Sequence, residues 1–144
     1  MRFMVLVKAS QDSEAGKLPS PELVAEMGRF NEELVKAGVM LAGDGLTPSS
    51  QGCRLRYSKS KPPVVTDGPF AETKELVAGF WILQAKSRDE VVEWLKKAPF
   101  LEGDEIEIRR LFDMEDWPAE EYGDELAKEE KLREEIERQQ KATR

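Results

Sequence analysis

Two strand-length segments that are apolar on both faces constrain the fold of this chain more than any other feature. In residues 3–8, one face carries Phe3, Val5 and Val7, and the other carries Met4 and Leu6. In residues 76–85, one face carries Val77, Trp81 and Leu83, and the other carries Ala78, Phe80 and Ile82. A strand that is apolar on both faces needs cover on both faces. We therefore expect these segments to be the central strands of one sheet.

Helices and further strands alternate with these two segments. Ser20 is a favourable N-cap, Pro21 suits the first helical position, and Gly38 follows the end of the first predicted helix. A second helix begins at a capping box formed by Ser87 and Glu90 and stops before residue 99. The remaining strands are predicted at residues 39–42, 53–57, 64–66 and 105–112, the middle two as a hairpin, and residues 10–17 as a loop.

The order of these elements predicts an α+β fold. It matches a ferredoxin-like β-α-β-β-α-β arrangement with a hairpin insertion, in which the first and third strands are central. The two helices can cover only one face of such a sheet, and residues 1–112 offer no third layer. A second copy of the chain, packed sheet to sheet, is the simplest cover for the other face. We therefore expect a homodimer.

Residues 113–144 differ in composition from the rest of the chain. They hold 12 acidic and 6 basic residues, which supply −6 of the net charge of −7. Residues 115–143 are predicted to form a helix that Asp116 caps and that acid–base pairs four residues apart support. These pairs are Asp124–Lys128, Glu129–Arg133, Glu134–Arg138 and Glu137–Lys141. We predict a domain at 1–112 and an acidic, mostly solvated helical extension at 113–144, with a partner-binding helix as the alternative.

Composition disfavours several classes of function. Histidine is absent, which excludes Ser–His and Cys–His nucleophile systems and every His-containing metal site. The acidic charge disfavours nucleic-acid binding, which depends on a basic patch. No apolar run approaches the ~20 residues of a membrane span. The single cysteine agrees with a cytoplasmic location. We expect no nucleic-acid partner, no membrane insertion and no cofactor.

The most specific segment is residues 65–75, with the sequence VTDGPFAETKE. Gly68 permits backbone angles that other residues avoid, Pro69 fixes φ, and Phe70 is expected to plug the core. This segment resembles the signature of the DGPF-domain proteins, a branch of the YCII-related family. The likeness covers roughly residues 1–112. Further similar stretches are the first strand with Met4 and residues 19–22, 42–46 and 76–83.

The resemblance implies a dimeric α/β barrel, in which two ferredoxin-like sheets pack face to face. The family is largely without an assigned biochemical function, although its wider superfamily includes muconolactone isomerases and other small-molecule catalysts. YCII-type relatives carry a histidine–aspartate pair in their cleft, which this chain lacks because it has no histidine. Some DGPF members carry transcription-related names, and the acidic charge of this chain gives that role no support.

The predicted site consists of charged residues around the turn at residues 68 and 69. Asp67 or Glu72 is interpreted as a general base or ligand, because a carboxylate partly buried beside apolar groups can reach a catalytic pKa. Lys74 is interpreted as an electrophile or anion anchor. Asp44, Phe70 and Trp81 are predicted ligand contacts. No metal site is predicted, although oxygen atoms of Asp67, Glu72 and Asp44 are a minor alternative for a divalent cation.

Structural interpretations of the same residues stay open. The segment around Asp67 can be a rigid turn with a solvated ion pair, and Asp44 can be a turn aspartate bonded to its own backbone. Trp81 can belong to the core or to a dimer interface. Arg54 and Arg56 can meet an anion, or they can be exposed charges that protect a strand edge from aggregation.

Two functional hypotheses from different classes follow. The first is a small soluble homodimer with a pocket near the DGPF segment that binds or transforms a small molecule. The alternative is a non-catalytic protein-interaction module, with a regulatory role, that uses the dimer and the acidic extension. An enclosed cleft lined by Asp67, Glu72, Lys74 and aromatic residues would favour the first hypothesis. A filled interior with the helical extension docked on the outside would favour the second. Whether the chain is an enzyme stays open.

Overall fold

A computed structural model describes residues 1–59 and 61–143, with Lys74 described only through its main chain. The strands are β1 Arg2–Lys8, β2 Met40–Gly45, β3 Cys53–Ser58, β4 Lys61–Asp67, β5 Val77–Gln84 and β6 Ile106–Arg110. The helices are α1 Gln11–Glu14, α2 Pro21–Lys36, α3 Arg88–Leu95 and α4 Ala119–Ala142. Short 3-10 turns lie at Ser49–Gln51, Thr73–Glu75 and Met114–Asp116. The chain divides into two compact units, Met1–Leu111 and Phe112–Arg144. In the described residues no helix is long and apolar enough to cross a membrane.

The first unit is built on a four-stranded antiparallel sheet in the order β2-β5-β1-β6. The two strands that are apolar on both faces, β1 and β5, occupy its centre, and Val5 pairs with Trp81 between them. Strands β3 and β4 follow β2 in the sequence, precede β5, and form a separate two-stranded hairpin. This confirms the predicted ferredoxin-like α+β fold with a hairpin insertion.

Helix boundaries follow the predicted caps. Ser20 accepts a hydrogen bond from the backbone N–H of Leu23, at 3.2 Å, and Pro21 is the first residue of α2. At α3, the hydroxyl of Ser87 accepts from the N–H of Glu90, but the Glu90 carboxylate accepts from Lys86 N–H instead of closing the capping box on Ser87. The predicted loop at residues 10–17 contains the one-turn helix α1, so that prediction is wrong there.

The core lies between the helices and one face of the sheet. Its buried members are Phe3, Val5, Phe30, Leu34, Val39, Trp81, Leu83, Val91 and Leu95. Trp81 packs edge-to-face between Phe30 and Phe100, with ring centroids 5.9 and 6.0 Å away. Its indole N–H donates a 2.9 Å hydrogen bond to the side-chain oxygen of Asn31 on α2. An indole can be buried at low cost when its N–H is paired in this way.

The opposite face of the sheet is less buried. Its apolar residues Met4, Leu6, Ala42, Ala78, Phe80 and Ile82 are each half-buried. At one side of this face, the ammonium group of Lys8 lies 3.5 Å from a carboxylate oxygen of Glu107. All sheet residues that are fully buried in the described chain lie on the helix-covered face. As expected, the helices cover only one face of the sheet, and the homodimer stays a prediction.

The second unit consists of an aromatic start followed by α4. The rings of Phe112, Trp117 and Tyr122 pack in series, with centroids 5.2 and 5.5 Å apart. The prediction that Asp116 caps the helix is wrong, because Asp116 lies in the preceding 3-10 turn and accepts from the N–H of Asp113. The N-cap of α4 is Pro118, which offers no side-chain hydrogen bond.

Ion pairs along α4 follow the predicted pattern only in part. Glu129 and Arg133 form the expected pair at 3.3 Å. Lys128 pairs instead with Glu125, and Arg138 with Glu135, each at a spacing of three residues. Acids three and four residues before a basic residue are both within reach on a helix surface, so the sequence leaves the choice open. No residue of α4 is fully buried within the described chain.

Candidate functional site

The DGPF turn lies at the base of the β3–β4 hairpin and packs against the 3-10 turn at Ser49–Gln51. The N–H of Gly68 donates to the carbonyl oxygen of Gly52 at 3.0 Å. A Cβ atom on Gly68 would lie 1.8 Å from the carbonyl oxygen of Ser49. The peptide bond between Gly68 and Pro69 is cis. Glycine is required at position 68 because the two backbone segments approach too closely for any side chain.

Ser49 connects three separate parts of the chain at this point. Its N–H and its hydroxyl both donate to the carboxylate of Glu14 on α1, at 3.0 and 2.5 Å. The same hydroxyl accepts from the N–H of Phe70 at 3.1 Å. Hydrogen bonds to a charged acceptor are stronger than neutral ones. The half-buried Glu14 carboxylate therefore anchors the loop on which the DGPF turn rests.

Phe70 supports a guanidinium group and does not plug the core. The guanidinium carbon of Arg54 lies 3.8 Å from the centroid of the Phe70 ring. Phe70 is half-buried and is absent from the core cluster of the first unit, so the expectation that it fills the core is wrong. The physical reason is the attachment of the turn to Ser49, which holds the ring beside β3. An aromatic ring under a guanidinium gives a cation–π contact.

Two open clefts meet at Arg54 and Phe70. The first, which we call the hairpin cleft, has a volume of about 390 Å³ and is lined by Arg54, Leu55, Arg56, Tyr57, Thr66 and Phe70. The second, the loop cleft, has a volume of about 430 Å³. It lies between residues 46–49, residues 52–54 and the start of β5, and Glu14 and Glu75 are among the residues that line it.

The predicted site residues occupy different surroundings. Asp67 is the last residue of β4, is exposed, and pairs across the hairpin with Cys53. Glu72 is exposed and has left-handed backbone angles, with φ of 64°. Lys74 lies in the 3-10 turn Thr73–Glu75, and its side chain is outside the described part of the structure. Both clefts are open, and neither Asp67 nor Glu72 lines them, so the described residues do not show the expected enclosed cleft around these side chains.

The predicted ligand contacts are also separated. Asp44 is exposed on β2, opposite Phe80, and Trp81 is buried in the core. Phe70 alone among these three lines a cleft. In the described residues, no group of three or more acidic or cysteine side chains is placed to hold a metal ion. Asp67, Glu72 and Asp44 therefore do not form such a group.

Sequence reasoning missed Glu14 and Ser49. Both lie in segments that read as polar loops, and they are 35 residues apart in the chain. A local signal was available only for the short helix α1, whose N-cap Ser10 and residue Ser13 form a reciprocal cap. The contact between Glu14 and Ser49 joins distant parts of the chain, so no periodicity or local motif predicts it.

Comparisons with known proteins give a consistent result. A family model described as the YCII-related domain matches residues 1–115. An uncharacterized protein of Rhizobium meliloti (strain 1021) is 30% identical over 87 residues, which span 60% of this chain and 69% of that protein.

Among solved structures, 5-chloro-2-hydroxyhydroquinone dehydrochlorinase (TftG) from Burkholderia phenoliruptrix AC1100, in complex with 2,5-dihydroxybenzoquinone, is similar to this chain. The TM-score is 0.40 and the sequence identity is 18%, over 80% of this chain and 98% of that one. The family assignment rests on the family model, whose match includes the whole four-stranded sheet and the DGPF turn. The chain belongs to the YCII-related family.

Proposed function

We propose that the protein is a homodimer that binds a small molecule at the base of the β3–β4 hairpin. The observation that carries this proposal is the meeting of two clefts at Arg54 and Phe70, beside the DGPF turn. Their volumes fall in the range of ~300–1,000 Å³ that is usual for small-molecule sites. Hydrogen bonds through Ser49 hold the cleft wall in position, which reduces the cost of ordering the site when a ligand binds.

Asp67, Glu72 and Lys74 are the residues proposed to act on a bound molecule. Support comes from their position in the chain, because they flank Phe70 on both sides. Asp67 ends the strand that borders the hairpin cleft, next to the lining residue Thr66. Asp67→Asn and Lys74→Met remove charge while keeping approximate size. We expect both variants to keep the fold and to weaken ligand binding.

A thermal-shift screen of small molecules tests the binding proposal. Specific binding to the folded state raises the melting temperature by mass action. Phe70→Ala removes the ring shared by both clefts, so it should abolish the rise caused by any compound found with the wild type. Phe112→Ala is the matched control, because Phe112 is an exposed ring in the second unit. A rise that persists unchanged in Phe70→Ala would contradict the proposed site.

The dimer is supported by the half-buried apolar face of the sheet. Sheet-to-sheet packing of two copies would cover this face, and a stable dimer buries at least ~1,200 Å² in total. Leu6→Lys tests the arrangement, because Leu6 lies on this face and pairs across the strands with Glu107. A lysine opposite Glu107 should be tolerated in one subunit but should separate the dimer. Val24→Lys on the exposed surface of α2 is the control.

Sedimentation velocity gives the readout for these variants. We expect a dimer for the wild type and for Val24→Lys, and a folded monomer for Leu6→Lys. A wild-type protein that sediments as a folded monomer at high micromolar concentration would refute the dimer.

For its location we propose the cytoplasm, because Cys53 is an exposed free thiol of the kind that a reducing compartment preserves.

An interaction module is the second candidate, and one observation favours it. Helix α4 is acidic, and its apolar residues Leu132 and Ile136 are 60% and 52% exposed. Such residues are available to a protein partner that carries basic groups around an apolar contact. A screen in which no compound shifts the melting temperature, together with partner binding lost on deletion of residues 120–144, would favour this candidate over the first.

A further inference from the structure

We propose that the hairpin cleft binds a small dianion, with Arg54 and Arg56 as the groups that hold its charge. The two classes of compound that carry this chemistry are phosphate monoesters and dicarboxylates. The inference rests on the proposed function, in which the base of the hairpin binds a small molecule. It adds the charge of that molecule and the side chains that recognise it.

The pairing of β3 with β4 places the binding groups on one face of the hairpin. Arg54 pairs with Thr66, and Arg56 pairs with Val64. Side chains two residues apart on a strand point to the same face, about 7 Å apart, and directly paired residues share a face. The two guanidinium groups and the Thr66 hydroxyl therefore face the same side. All three residues line the hairpin cleft.

The Arg54 guanidinium contacts an aromatic ring of the same site. Its central carbon lies 3.8 Å from the centroid of the Phe70 ring. Phe70 is itself fixed through its N–H to Ser49, which the Glu14 carboxylate holds. A guanidinium carries five N–H donors, and the described residues show no hydrogen bond from those of Arg54. Planar, bidentate recognition of carboxylate or phosphate uses these donors.

Neither arginine forms an ion pair in the described residues, although Arg54 also lines the loop cleft together with Glu14 and Glu75. Within residues 1–59 and 61–143 the structure shows no ion pair or hydrogen bond from the Arg54 or Arg56 side chain. By contrast, Arg133 and Arg138 on α4 each pair with a glutamate. Among the described residues, none that lines the hairpin cleft is acidic. Arg54 and Arg56 therefore bring two positive charges to the hairpin cleft.

These charges determine which ligands the cleft can favour. Two cationic groups with no acid attract a dianion, disfavour a cation, and gain nothing from the charge of a neutral compound. The Thr66 hydroxyl adds a further hydrogen-bond donor, and the Phe70 ring adds an apolar surface. A volume of about 390 Å³ accommodates a compound with one ring or a short chain. Phenyl phosphate and phthalate are therefore suitable probes.

Isothermal titration with these two probes tests the inference on the full chain. We expect the wild type to bind at least one of them with a 1:1 stoichiometry per chain, and to bind more weakly as salt is raised. The probe that binds more tightly shows which source of the dianion the site prefers. Benzamide and benzylamine, which supply a neutral and a cationic ring, should bind at least tenfold more weakly.

Variants assign the binding to the two arginines. Arg54→Met and Arg56→Met should each weaken the dianion at least tenfold. Arg54→Lys keeps the charge but loses the planar donors, so we expect an intermediate effect. Arg29→Met is the matched control, because it removes one positive charge from the exposed surface of α2, and it should bind like the wild type. Circular dichroism and melting temperature confirm that each variant is folded.

The results separate this inference from the proposed function. Binding of a dianion that Arg54→Met and Arg56→Met leave unchanged would overturn the inference. If benzamide or benzylamine binds and both dianions do not, the inference fails while the small-molecule site stands, provided that Phe70→Ala removes the binding. If none of the four probes binds and the wider thermal-shift screen also finds nothing, both fail.

Discussion

Replacing Gly68 by alanine tests whether the DGPF turn depends on contact between two backbone segments. The added Cβ would lie 1.8 Å from the carbonyl oxygen of Ser49 and 2.7 Å from its carbonyl carbon. Because Cβ atoms essentially never approach another heavy atom closer than 3.0 Å, the turn or the loop at residue 49 has to move. Both atoms are backbone, so no side-chain rotation relieves the contact. The fold must therefore separate two segments that are joined in the native structure.

The expected loss follows from the hydrogen bonds that this separation breaks. The N–H of Gly68 donates to Gly52 at 3.0 Å, and the N–H of Phe70 donates to the Ser49 hydroxyl at 3.1 Å. Each such bond contributes about 0.5–1.5 kcal/mol net to stability. The Phe70 ring also loses part of its packing. We expect Gly68→Ala to lower the free energy of unfolding by about 1–3 kcal/mol.

Urea unfolding followed by circular dichroism, at one fixed protein concentration, measures this change. Gly28→Ala is the matched control: it adds the same methyl group in the middle of α2, where nothing lies within 4 Å of the new Cβ. It should raise the stability by about 0.5–1 kcal/mol, because alanine is the better helix former. The reasoning is refuted if Gly68→Ala unfolds at the same urea concentration as the wild type.

Three further predictions concern the core, the cleft and the extension. Trp81→Phe removes the donor to Asn31, and thermal unfolding should show a loss of about 1–2 kcal/mol; an unchanged stability would mean that water replaces the bond. Phe70→Ala should lower the free energy of unfolding, measured in urea, by about 1–3 kcal/mol, because the ring is only half-buried. A loss of about 4 kcal/mol or more, as for a phenylalanine in the core, would contradict this position. Deleting residues 120–144 should leave the first unit folded and dimeric by circular dichroism and sedimentation, whereas an unfolded or monomeric product would make α4 part of the core or interface.

Much of the fold could be predicted because burial leaves a pattern in the sequence. Strands β1 and β5 each pair with a strand on both sides, and the side chains of one face pack beneath the helices. Helix α2 could be predicted from the residues at its ends. Ser20 is the N-cap, Pro21 is the first helical residue, and Gly38 has the left-handed backbone angles that glycine favours. These signals are local or periodic, and they require no knowledge of distant contacts.

The cleft is harder to predict because its parts come from distant segments. Arg54 and Phe70 are 16 positions apart, and only the return of β4 alongside β3 brings them together. The Glu14 carboxylate reaches Ser49 across 35 positions. Asp67 and Glu72 are close together in the sequence but line neither cleft, whereas the charged residues that line the clefts in the described part of the chain are Arg54, Arg56, Glu14 and Glu75. The catalytic role of Asp67, Glu72 and Lys74 stays a prediction.

Cys53 makes the hairpin directly accessible to spectroscopy. It is the single cysteine of the chain, it is exposed at the first position of β3, and it lines the loop cleft beside Arg54. A thiol-reactive fluorophore or spin label therefore attaches at one defined position without the removal of other cysteines. In a dimer, each copy carries one such label, so the distance between the two labels reports the separation of the two hairpins. A label on Cys53 can therefore measure the distance between two copies without any change to the sequence.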